Sequence, residues 1–513
     1  MRRHLATYGG PVLVACALAA AAPAGVIVVE NTNDAGAGSL RAAIAAAGSG
    51  DEIHFAIGET GVQTISPATA LPPLAAGVTL DGLTQPGASC ATWPPTLRIE
   101  IAGGGAPDGL RITGNDAVVR GLVVNSFSGD GIRIEGASGV RVECNFVGAD
   151  ATGTQDYGNS GAGVRLAGAT LAVIGGPDAD DRNLIAANAV GGVLIDAASS
   201  SNTVQGNFIG TDVSGLVRLE NFNGVIVRGA SNGIAGNLIS GNTEAGVLLD
   251  VATAIGNAIL ANAIGPNATD TAALPNGGAG VYLLGGAAQN VIGSPAQPNR
   301  FRANGANGVW VDGAASIGNS IRGNSMTKNG AIGIELDAFF ANVNDPGDPD
   351  SGPNRLQNTP TLIDVAYAAG LDQLTAIFSV STAPANATYP LLVDFYRVDA
   401  DFEEGEVYLG TLSYDAADFA AGNVTKTFAA LGMVQVGDDV VATATDAAGN
   451  TSEFSAGSIT VVVPEPAALA SGLVALATLG LARARGAWWR NSRRVHRAAQ
   501  SSDGRAPTST DAT

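Results

Sequence analysis

Between residues 109 and 336 the apolar positions fall into short runs of period two, each opening on a glycine. The pattern Gly-apolar-x-apolar recurs as GLRI at Gly109, GIRI at Gly131, GVRL at Gly163, GVLI at Gly192, GVIV at Gly224, GVLL at Gly246, GVYL at Gly280, GVWV at Gly308 and GIEL at Gly333. Successive starts lie 22, 32, 29, 32, 22, 34, 28 and 25 residues apart, so 22 acts as a floor and the longer intervals read as corner insertions. Two more strand-like runs fall inside an interval, as NTVQGN and NFIG after Gly192, or NGIAGN and NLISGN after Gly224. Alternation sends Val, Ile and Leu of each run to one face. Gly and Asn stand between the runs, where the chain needs a left-handed backbone to turn.

Three short strands per coil of that length predict a right-handed parallel β-helix, with coils stacked about 4.8 Å apart. Asparagines that recur at one corner can bond amide to amide up such a stack. The x position of each run faces outward. In order it is Arg111, Arg133, Arg165, Leu194, Ile226, Leu248, Tyr282, Trp310 and Glu335. Stacked arginines repel unless an anion, or acids such as Glu135, offset them. Tyr282 and Trp310 on neighbouring coils make a flat apolar face of the kind that marks a contact. An acidic polysaccharide fits this stripe, with carboxylates on Arg111, Arg133 and Arg165 and sugar faces on the two rings. The competing expectation is that another part of the protein, or another rod, covers it.

Three coils carry an insertion after the third strand, NFVGADATG, NFIGTDVSG and NAIGPNATD, which align Asp150, Asp212 and Asn267. Asn stands in for Asp and the position recurs, so these residues read as Asx turns and not as catalytic acids. The segment SLRAAIAAAG predicts a short amphipathic helix with Leu40 and Ile44 on one face, placed to cap the first coil. From 359 to 463 the pattern changes to seven strand-like runs joined by turns, from TLIDVAY to ITVVV, which predict an Ig-like β-sandwich.

The composition agrees with a solenoid of tight corners: 70 of 513 residues are Gly and 14% are charged. The net charge of −20 excludes nucleic acid as a natural partner. Residues 25–463 hold 17 basic and 43 acidic side chains, a net of −26, while the ends are basic. MRRH, PVLVACALAAAA and APA form the three parts of a signal peptide with cleavage after Ala24; a lipobox ending at Cys16 is the alternative. Export permits a disulfide, but Cys90 and Cys144 lie far apart in sequence and are read as two buried free thiols.

Residues 467–482 are an apolar run followed by arginines, which predicts a C-terminal transmembrane helix with its basic end in the cytoplasm. Val463, Pro464, Glu465 and Pro466, then this run, then the arginines resemble a PEP-CTERM sorting signal. The resemblance implies an exosortase as partner, an inner-membrane-anchored precursor, and release to the surface or matrix of a Gram-negative cell. The long tail after the arginines departs from that pattern. Residues 26–358 resemble the secreted β-helix repeat proteins, the pectate-lyase-like solenoids among them. ATATDAAGNTSEFS is similar to the end of bacterial Ig-like modules.

The resulting expectation is an all-β chain. A signal peptide (1–24) leads to an N-terminal cap with the first strands (25–75), a right-handed parallel β-helix (76–358) and an Ig-like sandwich (359–463). A sorting segment with its transmembrane helix (464–497) and a disordered tail (498–513) complete it.

Many β-helix proteins cleave polysaccharides by acid–base chemistry. Here the three histidines, His4, His54 and His496, all fall outside the repeated coils, and no nucleophile elbow or phosphate loop is present. Asp178, Asp180 and Asp181 form the densest acidic corner, with no partner base. No catalytic residue is assigned, and the expected function is a non-catalytic surface or matrix protein that binds exopolysaccharide. A polysaccharide lyase or glycoside hydrolase on the rod, and a spacer without a ligand, are the alternatives. Asp345, Asp348 and Asp350 in NDPGDPDSGPN offer closely spaced oxygen ligands suited to Ca²⁺, or else form a solvated linker. No other cofactor is expected.

Export with tail processing predicts that intact-mass measurement of the envelope protein shows loss of both ends. A full-length C-terminus in every fraction would leave only a plain membrane anchor.

Overall fold

The computed structural model describes residues 24–464, apart from 59, 338–340 and 400–403. Three parallel sheets of 11, 10 and 9 strands run the length of a rod built by residues 26–336. Each coil contributes one strand to each sheet in turn, as Val173–Gly175, Leu184–Ile185 and Gly191–Ile195 do. All nine Gly-apolar-x-apolar runs lie in the third sheet or just precede its strands. Their inward residues, such as Val193, Ile195, Val225 and Val227, are fully buried in one continuous core. The architecture agrees with the β-helix expectation.

Three files of asparagine climb the corners. Between the first and second sheets run Asn145, Asn183, Asn207, Asn237, Asn262, Asn299 and Asn324. Each donates its side-chain amide to the Oδ1 of the next at 2.9–3.2 Å. Between the second and third sheets run Asn159, Asn188, Asn221, Asn242, Asn276, Asn304 and Asn329, linked in the same sense. At the remaining corner Asn202, Asn232, Asn257, Asn290 and Asn319 form the third file, which Asn354 of the following loop extends by accepting from the Asn319 backbone N–H. Most are buried, so each amide must find its partners inside the protein.

The helix Leu40–Ala46 buries Leu40, Ala43 and Ile44 and is capped by Ser39, whose hydroxyl accepts from the Ala42 N–H. It packs beside the first strand, Val26–Val29, as expected. The Asx reading holds at all three insertions. Asp150 Oδ1 accepts from the N–H groups of Thr154 and Gln155, Asp212 Oδ1 from Leu216 and Val217, and Asn267 Oδ1 from Thr271 and Ala272.

The reading of two free thiols is corrected: Cys90 and Cys144 form a disulfide, with Cα atoms 6.4 Å apart. The loop after Gly82 folds back over the outer face of the second sheet, which closes a sequence gap of 54 residues. There Trp93 packs edge-on against Phe146 and Phe208, and Arg182 lies over Trp93 and Phe208.

The seven runs beyond the rod form two antiparallel sheets around a second core. One holds Pro360–Ala368, Gln373–Val380 and Val424–Ala429; the other holds Gly405–Tyr414, Leu391–Val398, Asp439–Thr445 and Ile459–Thr460. This sandwich closes the last coil. Arg322 makes a two-pronged bond to the buried Asp394 at 2.7 Å, Tyr396 Oη accepts from the Gly323 N–H, and Glu404 accepts from both the backbone and side chain of Asn329. No helix among the described residues is long and apolar enough to cross a membrane. The expected transmembrane segment, with Glu465 and Pro466, lies outside them, and Val463 is exposed at their edge.

Replacing one mid-file amide tests the role of the files. Asn237→Ala leaves the Asn207 amide and the Val204 carbonyl short of a partner. It is expected to cost about 2–3 kcal/mol in denaturant unfolding. A loss within about 0.5 kcal/mol, the level of a surface substitution, would mean the files are dispensable.

Candidate functional site

The outward positions of the third sheet form one unbroken ladder. Parallel register pairs Arg111 with Arg133, Arg133 with Arg165, and so on through Leu194, Ile226, Leu248, Tyr282 and Trp310 to Glu335. The backbone therefore fixes the order and spacing of these nine side chains. Their surroundings divide the ladder into three parts.

At the first part, every guanidinium has a carboxylate. Arg111 bonds Glu135 at 2.6 Å, Arg165 bonds Asp196 at 3.0 Å, and Asp130 lies 3.5 Å from Arg133 and 3.9 Å from Arg165. The bond from Arg111 holds Glu135 below the usual carboxylate range. Burial pushes Asp130 up, although the Ala162 N–H and the two arginines oppose this. In the middle part Leu194 and Ile226 are only 4% exposed, because with Ala162 and Leu248 they form a small apolar cluster of their own outside the core. The stripe points outward along its whole length but is not open along its whole length.

At the third part Tyr282 and Trp310 stack, with ring centroids 4.5 Å apart and planes 17° from parallel. Their polar atoms are held: Tyr282 Oη donates to Asp312 and Trp310 Nε1 to the Asp337 carbonyl at 2.7 Å. Burial and Asp312 push the tyrosine to about 12, so it is a neutral platform and not a base at ordinary pH. Next in register stands Glu335, 7% exposed, whose Oε1 has no hydrogen-bond partner. Burial, then the charges of Glu453 and Asp337, push it up to about 7. Glu453, also raised by burial, accepts from the N–H groups of Leu336 and Asn342. The ladder thus ends in a buried carboxyl held above the ordinary carboxylate range, beside a ring platform.

Sequence reasoning placed Glu335 in the stripe but missed its chemistry. One group that raises it, Glu453, arrives from more than a hundred residues away. The local signals were an acid directly after Trp310 in the repeat and Asp337 two residues beyond it.

The remaining sequence candidates lie elsewhere. Asp345, Asp348 and Asp350 come together, with ligand oxygens within 4.8 Å of one another, in the loop between rod and sandwich. Burial pushes Asp348 up to about 6. His54 pairs with Glu52 at 2.7 Å in the first sheet, away from the ladder. Asp178, Asp180 and Asp181 sit on one corner, where burial raises Asp181.

No family model and no curated protein matches the chain. Several solved structures resemble it. The periplasmic alginate epimerase AlgG aligns at 14% identity with a TM-score of 0.33, over 57% of this chain and 61% of its own. The catalytic unit of a thermostable GH87 α-1,3-glucanase from Streptomyces thermodiastaticus aligns at 14% and 0.36, over 63% of this chain and 67% of its own. The PL6 family polysaccharide lyase Pedsa3628 from Pseudopedobacter saltans aligns at 12% and 0.34, over 64% of this chain and 81% of its own. The chain spans less than two thirds of the epimerase. At these identities the likeness is one of fold.

The expectation of a non-catalytic protein is corrected. It rested on the lack of an acid–base candidate on the coils, and Glu335, buried and held above the ordinary carboxylate range, is such a candidate. The similar structures named above are themselves an epimerase, a glucanase and a lyase, whereas a non-catalytic protein was expected.

The raised carboxyl makes a signed prediction. Glu335 binds its proton more tightly in the folded chain than at its ordinary value of 4.5, so its contribution favours folding at low pH. That contribution falls as pH rises from the ordinary value through about 7 and is flat above. Glu335→Gln removes the dependence. In urea unfolding the variant is expected to match the parent at pH 4 and exceed it at pH 8 by on the order of 2–3 kcal/mol. An unchanged pH profile would show that Glu335 is ionised normally.

Proposed function

We propose that this chain is an exported carbohydrate-active enzyme that lays a polysaccharide along the outer ladder of its third sheet and cleaves it beside Glu335. The observation that carries the reading is the register-fixed adjacency of the Tyr282–Trp310 stack and Glu335. Stacked rings present a flat apolar surface to the C–H face of a sugar. A carboxyl protonated near neutrality can donate its proton to the departing glycosidic oxygen, while water adds at the anomeric carbon in hydrolysis or a base takes the C–H proton in β-elimination.

The arginine end favours an acidic polymer. A sugar carboxylate can take the place of Glu135 or Asp196 on a guanidinium without leaving the cation unpaired. Export through a signal peptide, and tail recognition by an exosortase at the inner membrane, belong to the same proposal and rest on the sequence of the two ends.

The test is an array of acidic and neutral polysaccharides, with product analysis for unsaturated ends (a lyase) and plain reducing ends (a hydrolase). Tyr282→Ala with Trp310→Ala is expected to weaken binding at least about tenfold, the effect of about 1.4 kcal/mol. Arg133→Ala with Arg165→Ala should weaken binding to acidic polymers and lower its salt dependence. Glu335→Gln should keep binding and lose on the order of 100-fold or more in turnover. Full binding by both paired variants would make the ladder a packing surface, and unchanged turnover in Glu335→Gln would remove it as proton donor.

A further inference from the structure

The loop from Asn344 to Asn358 joins rod to sandwich and is tied to both. Asn354 continues the third asparagine file by accepting from the Asn319 N–H, and it donates to the Thr451 carbonyl in the sandwich. Gly347 bridges to Thr382, and Gln357 donates to the Thr382 hydroxyl at 2.7 Å. Between these ties lie Asp345, Asp348 and Asp350, with ligand oxygens mutually within 4.8 Å.

Three carboxylates at that spacing repel strongly unless a cation joins them. Asp348 shows that the protein's own groups do not complete the arrangement. It is only 6% exposed, and its Oδ2 accepts from Gln357, Asn358 and Thr382 at 2.7–3.1 Å. Its Oδ1 is buried and has no partner. A buried carboxylate oxygen left unbonded is costly. Asp348 and Asp350 line a cleft of about 300 Å³ together with Ser351, Arg355 and Asn386. Arg355 forms no ion pair with the three acids among the described residues. The cleft therefore offers room for a small cation, and the arginine that lines it does not supply the missing charge.

We propose that Asp345, Asp348 and Asp350 bind a calcium ion that locks the sandwich onto the end of the rod. Calcium suits the site because it accepts six to eight oxygens in irregular geometry, which carboxylates of a turn and water can supply. The ion would take the unpartnered Asp348 Oδ1 as a ligand while Oδ2 keeps its three protein donors. Its binding would stabilise the junction, because Asp348 is held by Thr382, just past the sandwich strand Gln373–Val380.

The experiment uses the full-length protein, stripped with a chelator and titrated with Ca²⁺ by calorimetry, with thermal unfolding followed in parallel. The parent is expected to bind one Ca²⁺ and to melt several degrees higher in saturating Ca²⁺ than in chelator. Asp350→Asn alters an exposed ligand and should fold normally while weakening Ca²⁺ at least about tenfold. Asp348→Asn should abolish the Ca²⁺-dependent rise in melting temperature. No saturable heat in the parent, or parent-like Ca²⁺ binding by Asp350→Asn, overturns the proposal even if Asp348→Asn fails to fold.

Discussion

A buried amide must have partners for both its N–H₂ and its carbonyl, and this requirement organises the rod. Along each file an asparagine meets it because the next coil places another asparagine directly above. Register along the axis is therefore fixed by polar bonds, while the Val, Ile and Leu of the core supply most of the stabilisation without specifying register. A coil shifted by one residue would bury the wrong face and leave three amides unpaired. The corner insertions of varying length are tolerated because they leave the asparagine positions untouched, as the Asx turns at Asp150, Asp212 and Asn267 show.

The same constraint explains what was legible beforehand. The nine glycine-led runs identify the third sheet and its outward ladder, because period two and a repeat floor of 22 residues are local properties. The helix over Leu40–Ala46 and the Asx turns follow from equally local chemistry. Contacts made across long sequence gaps were not legible. Cys90 meets Cys144 through a folded-back loop, and Leu194 and Ile226 are covered by neighbours on other coils. Glu335 acquires its high proton affinity from burial and from Glu453. Each of these depends on which segments the solenoid brings side by side, and composition carries no record of that.

The junction gives the sandwich a role beyond that of a neighbouring module. A parallel solenoid ends in an open edge that must be covered. At the first coil a short helix does this. At the last coil the cover is a whole domain, which also shapes the surroundings of Glu335 and of the three aspartates. Stability of the rod's end and chemistry at the ladder's end are thereby coupled through the same contacts.

The asparagine files also have a direction. Each amide-to-amide bond runs from one coil to the next toward the C-terminus, while the second N–H of most amides turns back to a backbone carbonyl of the coil before. The amide-to-amide bonds all point toward the far end of the rod. That end is where Asp394, Asp399, Glu404 and Glu453 arrive from the sandwich, each accepting a bond from the last turns of the rod. The files therefore have a sense, and acidic side chains of the sandwich meet the end toward which they run.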